Sequence, residues 1–262
     1  MKQLLLVPLG ALLLAMPGRA QSVFNGTWKV DMNKVDLPKK PDVYVLQNGM
    51  YACKTCVPPY NIKADGTDQP VTGHPYVDSI AIKVVSDHEI QETDKKGGKV
   101  VGTSTSTVSA DGKTIAFTFK DSSDTNGGPP ITGKGEAMRV AAGPAGSHAI
   151  SGSWRTSKFD SLSDNAIVWT YKVSNNEVTM TTPTGQSYTA KMNGPDAPMK
   201  GDPGITSVSV KTMGNTYEET DKRDGKVIGV FKATVQPDGK TMNAAYDDKQ
   251  SGRTVKFTMT KQ

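Results

Sequence analysis

The sequence predicts an all-β chain built from two tandem antiparallel up-and-down β-barrels of about eight to nine strands each. Its 262 residues include 26 Gly and 16 Pro, and Thr, Val and Ser crowd the middle of the chain, a composition typical of short strands and turns. Alternating apolar and polar residues end at hairpin signals such as Asp224-Gly225 and Asp238-Gly239. The chain also repeats itself at a period of about 127 residues, which indicates tandem domains.

The first twenty residues have the pattern of a signal peptide. Met1-Lys2-Gln3 is a short basic start, residues 4–16 form an apolar run, and small residues precede a cut after Ala20. We therefore expect residues 1–20 to be removed and the protein to be periplasmic or secreted. No stretch of 18 apolar residues occurs, so a membrane-spanning helix is not expected.

The charged residues argue against a nucleic-acid partner. The formal net charge is +5, but Lys and Arg alternate with Asp and Glu, as in Asp221-Lys222-Arg223-Asp224 and in the lysines that follow Asp94. No basic run reaches five residues, so a dedicated nucleic-acid patch is not expected. We interpret these segments as a mixed, solvated surface.

The internal repeat divides the chain into a first barrel, residues 21–143, and a second barrel, residues 144–262. The matching segments are Gly26-Thr27-Trp28-Lys29 with Gly152-Ser153-Trp154-Arg155, Glu92-Thr93-Asp94-Lys95 with Glu219-Thr220-Asp221-Lys222, and Asp111-Gly112-Lys113-Thr114 with Asp238-Gly239-Lys240-Thr241. Each half carries its own turns and enough strands to close, so we expect each to fold alone as part of a monomeric protein.

The strands of the second half follow from alternation between turns. After the Trp154 segment we expect strands at 167–173, 178–180, 188–192, 207–211, 216–220, 226–235, 242–246 and 254–260. The first half repeats this scheme, with its last strand at 131–140 and a link at 141–149. Closing a meander of this size removes exposed edges, which favours a barrel, and a sandwich is the alternative.

A Gly-x-Trp on the first strand of such a meander resembles the lipocalin and fatty-acid-binding-protein group (calycins). The resemblance rests on Phe24-Asn25-Gly26-Thr27-Trp28-Lys29 and its repeat around Trp154, and it implies that Trp28 and Trp154 each close one end of a barrel. In lipocalins an Arg stacks on this Trp, and Arg139 and Arg253 are the late-strand candidates. The chain also resembles uncharacterised exported bacterial proteins with such repeats, which implies no activity.

The only cysteines, Cys53 and Cys56, predict a disulfide in an exported protein. A redox dithiol and a metal site are the alternatives, but Val57-Pro58-Pro59 after a strand is not the helix start that a redox pair needs. A metal site would need further ligands such as His74 or His88, and spacing alone predicts none. We expect no metal and no cofactor.

No catalytic motif stands out, so an enzyme is not favoured. His74, His88 and His148 have loop-like surroundings, and neither H-E-x-x-H nor G-x-S-x-G occurs. Two hypotheses remain. The protein binds a small apolar or amphipathic molecule, or it is a structural or interaction protein of the cell envelope with filled barrels.

A ligand site, if one exists, is expected in the second barrel. The inward face of strand 227–235 carries Phe231, where the matching strand of the first half carries Ser104. Ligand pockets are mainly apolar and aromatic. We therefore expect the site around Trp169, Tyr171, Tyr217 and Phe231, although these aromatics can equally be core.

Overall fold

The computed structural model describes residues 22–262, so the expected signal peptide lies outside the described residues. The all-β prediction is confirmed: the chain forms two nearly closed antiparallel barrels, each a sheet of ten strands. The count exceeds eight to nine partly because β5 and β15 are two-residue strands. Within residues 22–262 no helix is long and apolar enough to cross a membrane.

The first barrel is one continuous stretch of chain. Its strands are β2 (Asp42–Gln47), β3 (Met50–Cys53), β4 (Tyr60–Lys63), β5 (Gln69–Pro70), β6 (Ser79–Ser86), β7 (Glu89–Lys96), β8 (Lys99–Val108), β9 (Thr114–Asp121), β10 (Ile131–Ala142) and β11 (Gly152–Leu162). Their order in the sheet is β4-β3-β2-β11-β10-β9-β8-β7-β6-β5. Strands that are neighbours in sequence therefore pair, except that β4 and β5 lie at opposite ends of the sheet, and β11 also pairs with β2.

The second barrel is discontinuous. It combines β1 (Gly26–Asp36) with β12 (Val168–Ser174), β13 (Glu177–Thr181), β14 (Ser187–Lys191), β15 (Ala197–Pro198), β16 (Ser207–Met213), β17 (Thr216–Arg223), β18 (Lys226–Val235), β19 (Thr241–Asp248) and β20 (Arg253–Lys261). Their order is β14-β13-β12-β1-β20-β19-β18-β17-β16-β15. A 3₁₀ turn at Asp164–Ala166 leads into β12.

The two repeats exchange their first strands, so the sheets cross the division expected at 143/144. Strand β1 pairs with β12 and β20, and its Trp28 lies opposite Trp169. Strand β11 pairs with β10 and β2, and its Trp154 lies opposite Asp42. The first barrel is thus inserted between β1 and the rest of the second barrel.

The connections give a physical reason for the exchange. Residues 143–151 return β11 beside β10, as sequential antiparallel strands ordinarily do. Residues 37–41 include Pro38 and Pro41, whose fixed φ angles and missing N–H groups are incompatible with the tight primed turns of a short hairpin. After β1 the chain therefore runs on to the other barrel instead of folding back.

The two first-strand tryptophans occupy equivalent places. Trp28 and Trp154 are fully buried, and each indole N–H donates to the carbonyl four residues earlier, that of Phe24 at 2.9 Å and of Ile150 at 2.8 Å. The guanidinium of Arg139 lies 4.0 Å from the Trp154 ring centre, and Lys261 covers Trp28 at 5.2 Å. Of the two arginine candidates, Arg139 therefore stacks on a tryptophan.

The expected disulfide joins Cys53 and Cys56. Cys53 lies opposite Tyr44 on β2, whereas Met180 lies opposite Tyr171 at the matching place in the second barrel. The second barrel thus places an apolar side chain where the first has the buried end of the bridge. Closing this short loop stabilises the fold by about 2 kcal/mol in the chain-entropy account.

We predict that residues 37–162 fold alone and that residues 22–143 do not form a complete barrel. The fragment 37–162 contains β2–β11, and Trp154 is its only tryptophan. Its emission should be blue-shifted and protected from acrylamide, because Trp154 is buried in the intact protein.

The control fragment, residues 22–143, lacks β11 and has Trp28 as its only tryptophan. Its emission should match that of a solvated indole, because the strands that cover Trp28 are missing. A protected Trp28 would contradict the prediction, since β1 would then have taken the place of β11.

Candidate functional site

The second barrel contains a cavity of about 270 Å³ whose wall includes residues of both barrels. Strands β12, β17, β18 and β19 contribute its aromatic side chains and two of its acids, and Asp202 comes from the segment between β15 and β16. Asp124 and Ile131 of the first barrel also line it, as does Asn165 from the turn between the barrels. The site is therefore incomplete without the inserted barrel.

Three of the four expected aromatic residues lie on the cavity wall. Trp169, Tyr171 and Phe231 line it, and Tyr246 adds a fourth ring. Tyr217 lies behind them: its ring centre is 5.5 Å from that of Tyr171 and 6.4 Å from that of Phe231. Tyr217 thus packs behind the wall, and its hydroxyl binds another residue.

The Tyr217 hydroxyl binds a buried carboxyl group, that of Glu219. The hydroxyl groups of Tyr188 and Tyr217 both donate to Glu219 Oε2, the second at 3.3 Å, and they also contact each other. Asp221 stands two residues further along β17 on the same inward face. Both carboxyls line the cavity, and Glu219 and Asp221 are 6% and 3% exposed.

Burial determines how this acid pair ionises. Loss of solvation raises the pKa of Glu219 well above its ordinary value of 4.5, and the nearby Asp221 carboxyl raises it further. Burial also raises the pKa of Asp221 to about 6, although hydrogen bonds from Glu219 and Tyr246 act in the opposite direction. The pair therefore keeps a proton at pH values where exposed carboxyls have lost theirs.

The cavity also holds polar atoms that have no hydrogen-bond partner among the described residues. They are Oδ1 of Asp221, Oδ1 of Asp124 and Oδ1 of Asn165, all buried. Each of these oxygens is an acceptor. Buried acceptors in native proteins are nearly always paired with protein or water, so each of these three needs a donor that the described residues do not supply.

A loop of the first barrel, residues 122–130, covers part of the second barrel. Within this lid loop Asn126 Nδ2 donates to the carbonyls of Thr184 and Gly201, each at 3.0 Å. Gln186 Nε2 donates back to Asp124 Oδ2 at 2.8 Å. These bonds fix the loop in place and bring Asp124 to the cavity.

A second contact between the barrels lies beside the first. The Tyr76 hydroxyl donates to Asp202 Oδ1 at 2.8 Å, and the same oxygen accepts from the backbone N–H groups of Gly204 and Ile205. A side chain on Gly204 would overlap the Tyr76 ring, so glycine is needed for this approach. Asp202 lines the cavity with its charge already met by three donors.

The first barrel has a cavity of about 380 Å³ at the matching place. Glu92 lies opposite Ser104 there, just as Glu219 lies opposite Phe231 in the second barrel. The missing ring accounts for the larger volume. Ile90 stands where the second barrel has Tyr217, and Glu92 lacks the hydroxyl donor that this position gives Glu219.

The acid pair was missed because its charges were interpreted as a solvated surface. That interpretation is wrong for Asp221, which is buried. The signal was present: if Tyr217 points inward, strand alternation also points Glu219 and Asp221 inward. The same two acids occur in the first repeat as Glu92 and Asp94.

Comparison with protein-family models and with curated proteins identifies no relative of the chain. No protein-family model matches it, and no curated protein matches it. Conclusions about function therefore rest on the geometry of the cavity.

We predict that Glu219→Gln stabilises the protein more at pH 8 than at pH 4. Because the native pKa of Glu219 is raised, the unfolded state releases its proton first as the pH rises through 4.5, and this favours unfolding of the wild type. Gln mimics the protonated side chain and therefore does not lose this free energy of unfolding. The wild-type loss is about 1.4 kcal/mol for each unit of pKa shift. Urea unfolding at both pH values measures the difference.

The matched control is Glu218→Gln, which removes the same charge from the partly exposed neighbour that faces Lys232. It should change the free energy of unfolding by a similar small amount at both pH values. The explanation fails if Glu219→Gln gives the same offset at pH 4 and pH 8.

Proposed function

We propose that this protein is a monomeric, exported, lipocalin-like binding protein that holds a small molecule with an apolar body in the cavity of the second barrel. The observation that carries the proposal is the cavity itself, with four aromatic rings on its wall and polar groups at defined places. Concave, mainly aromatic sites with a few polar anchors are the usual form of small-molecule sites. At about 270 Å³ it suits a ligand smaller than a typical drug.

The lid loop supports the same proposal. A filled structural barrel would need no polar contacts to organise a loop around an empty space, yet Asn126, Gln186 and Asp124 do so here. The unpaired acceptors inside the cavity also argue against a filled core, because filled cores satisfy their polar atoms.

Two further features support the lipocalin-like and exported parts of the proposal. Arg139 stacks on Trp154 at 4.0 Å, which is the contact that the resemblance implies. The Cys53–Cys56 disulfide is typical of an oxidising compartment. The disulfide agrees with the export that a signal at residues 1–20 predicts.

The test uses tryptophan fluorescence, since Trp28 and Trp154 are at most 1% exposed and Trp169 alone lines the second cavity. We expect saturable one-to-one quenching by at least one of two small aromatic probes, 2-phenylethanol and 2-phenylethylamine. Phe231→Ser should weaken binding by about tenfold, because much of a buried aromatic contact is lost.

The matched control is Ser104→Phe, which places the same ring in the first barrel. It should leave binding unchanged. Absence of binding by either probe, or binding that responds to Ser104→Phe and not to Phe231→Ser, would show that the second cavity is core and favour a structural role.

A further inference from the structure

The surplus polar atoms in the cavity are all hydrogen-bond acceptors. Three oxygens have no hydrogen-bond partner among the described residues: Oδ1 of Asp221, Oδ1 of Asp124 and Oδ1 of Asn165. Only 3% of the Asp221 surface is exposed. No Lys, Arg or His is among the described residues that line the cavity. An occupant that satisfies this wall must bring donors and positive charge.

We propose that the ligand of the second barrel is an organic cation, an amine with an aromatic or similar apolar body. This inference rests on the proposed function, because it names the class of molecule that the same cavity takes. The ammonium group would donate to Asp221 Oδ1, with Asp124 and Asn165 as further acceptors around it.

The rings on the wall suit the same ligand. Trp169, Tyr171, Phe231 and Tyr246 line the space beside the carboxyls. The face of an aromatic ring carries negative electrostatic potential, so cations bind over Trp and Tyr rings, more strongly where water is excluded. The apolar body of the amine would contact these rings while its charge meets the acid pair.

A metal ion fits the site less well. Among residues 22–262 no group of three or more His, Cys, Asp or Glu side chains is arranged to hold one. Of the acids on the wall, Glu219 is bound by two tyrosine hydroxyls and Asp202 by three donors. The unpaired oxygens left on acids of the wall are Oδ1 of Asp221 and Oδ1 of Asp124, and two such oxygens amid aromatic rings suit an ammonium group better than a metal ion.

The first barrel offers a matched contrast. Asp94 also has an unpaired buried Oδ1, but it lines a separate groove with Tyr76, Gly102 and Asp121 and not the aromatic cavity of its barrel. Asp42, which does line that cavity, is paired with Arg253 at 2.6 Å. Glu92 also lines that cavity, but burial raises its pKa to about 8, so it is mostly neutral at pH 7, whereas the pKa of Asp221 is about 6. Among the described residues, an ionised carboxylate with an unpaired oxygen beside aromatic walls therefore lines the second cavity and not the first.

The experiment compares three probes of similar size on the intact two-barrel protein by calorimetry at pH 7: 2-phenylethylamine, 2-phenylethanol and 3-phenylpropionate. We expect the amine to bind about 10- to 100-fold more tightly than the alcohol, the range for a hydrogen bond to a charged group. The anion should bind most weakly. If the alcohol binds as tightly as the amine, the proposed function stands and the cation inference is overturned. If no probe binds, both fall.

Asp221→Asn tests the anchor directly. It keeps the shape of the side chain and removes its charge, so it should retain the alcohol affinity and lose most of the amine's advantage. Asp94→Asn is the matched control and should keep that advantage.

Alcohol binding by Asp221→Asn also reports that the variant is folded. Should it not fold, Asp124→Asn in the lid loop replaces it, with a smaller loss expected. An amine advantage that persists in the folded anchor variant would overturn the inference.

Discussion

The pairing of β1 with β12 and β20 is the constraint on which the rest of the structure depends. Because the N-terminal strand completes the second barrel, everything between β1 and β12 must leave that barrel and return to it. The chain therefore crosses between the barrels twice, at 37–41 and at 163–167. Two covalent connections hold the barrels at a high effective concentration relative to each other. A few hydrogen bonds are therefore enough to fix the lid loop on the second barrel.

The two barrels are unequal. Both repeats carry the acid pair, as Glu92 with Asp94 and as Glu219 with Asp221, but among the described residues only the second cavity is lined partly by the other barrel. It also has Phe231 where the first has Ser104, and Tyr217 where the first has Ile90. The ring reduces the volume and the hydroxyl fixes Glu219, so the smaller cavity is the better defined one.

Much of the fold could be predicted from the sequence, because strand alternation and hairpin signals act locally. The disulfide and the buried tryptophans followed from compartment and from the repeat. The strand exchange could not be predicted in this way: Gly26-Thr27-Trp28 and Gly152-Ser153-Trp154 are so alike that neither barrel distinguishes them by local pattern. Only the stiffness of 37–41 and the length of 143–151 separate the alternatives, and these act between distant parts of the chain.

The site residues also include some that the sequence predicts and others that were missed. Trp169, Tyr171 and Phe231 could be found by comparing the two repeats, since aromatic residues on an inward face are recognisable. Asp221 was missed because charged residues on a strand usually face solvent, and Lys222 and Arg223 beside it strengthened that interpretation. Alternation from Tyr217, which the sequence already places in the site, points Asp221 inward, but that inference was not drawn.

Burying two carboxyls side by side opposes folding, and this makes the unpaired Oδ1 of Asp221 informative. Glu219 is compensated by two tyrosine hydroxyls that the fold supplies. Asp221 keeps one oxygen open at 3% exposure, where neither bulk water nor a described side chain meets it. A barrel selected for stability alone would be more stable with an apolar residue there, because burying a carboxylate that is only partly hydrogen-bonded opposes folding. The open oxygen is therefore best understood as a group whose partner arrives from outside the chain, and the aromatic walls around it limit what that partner can be.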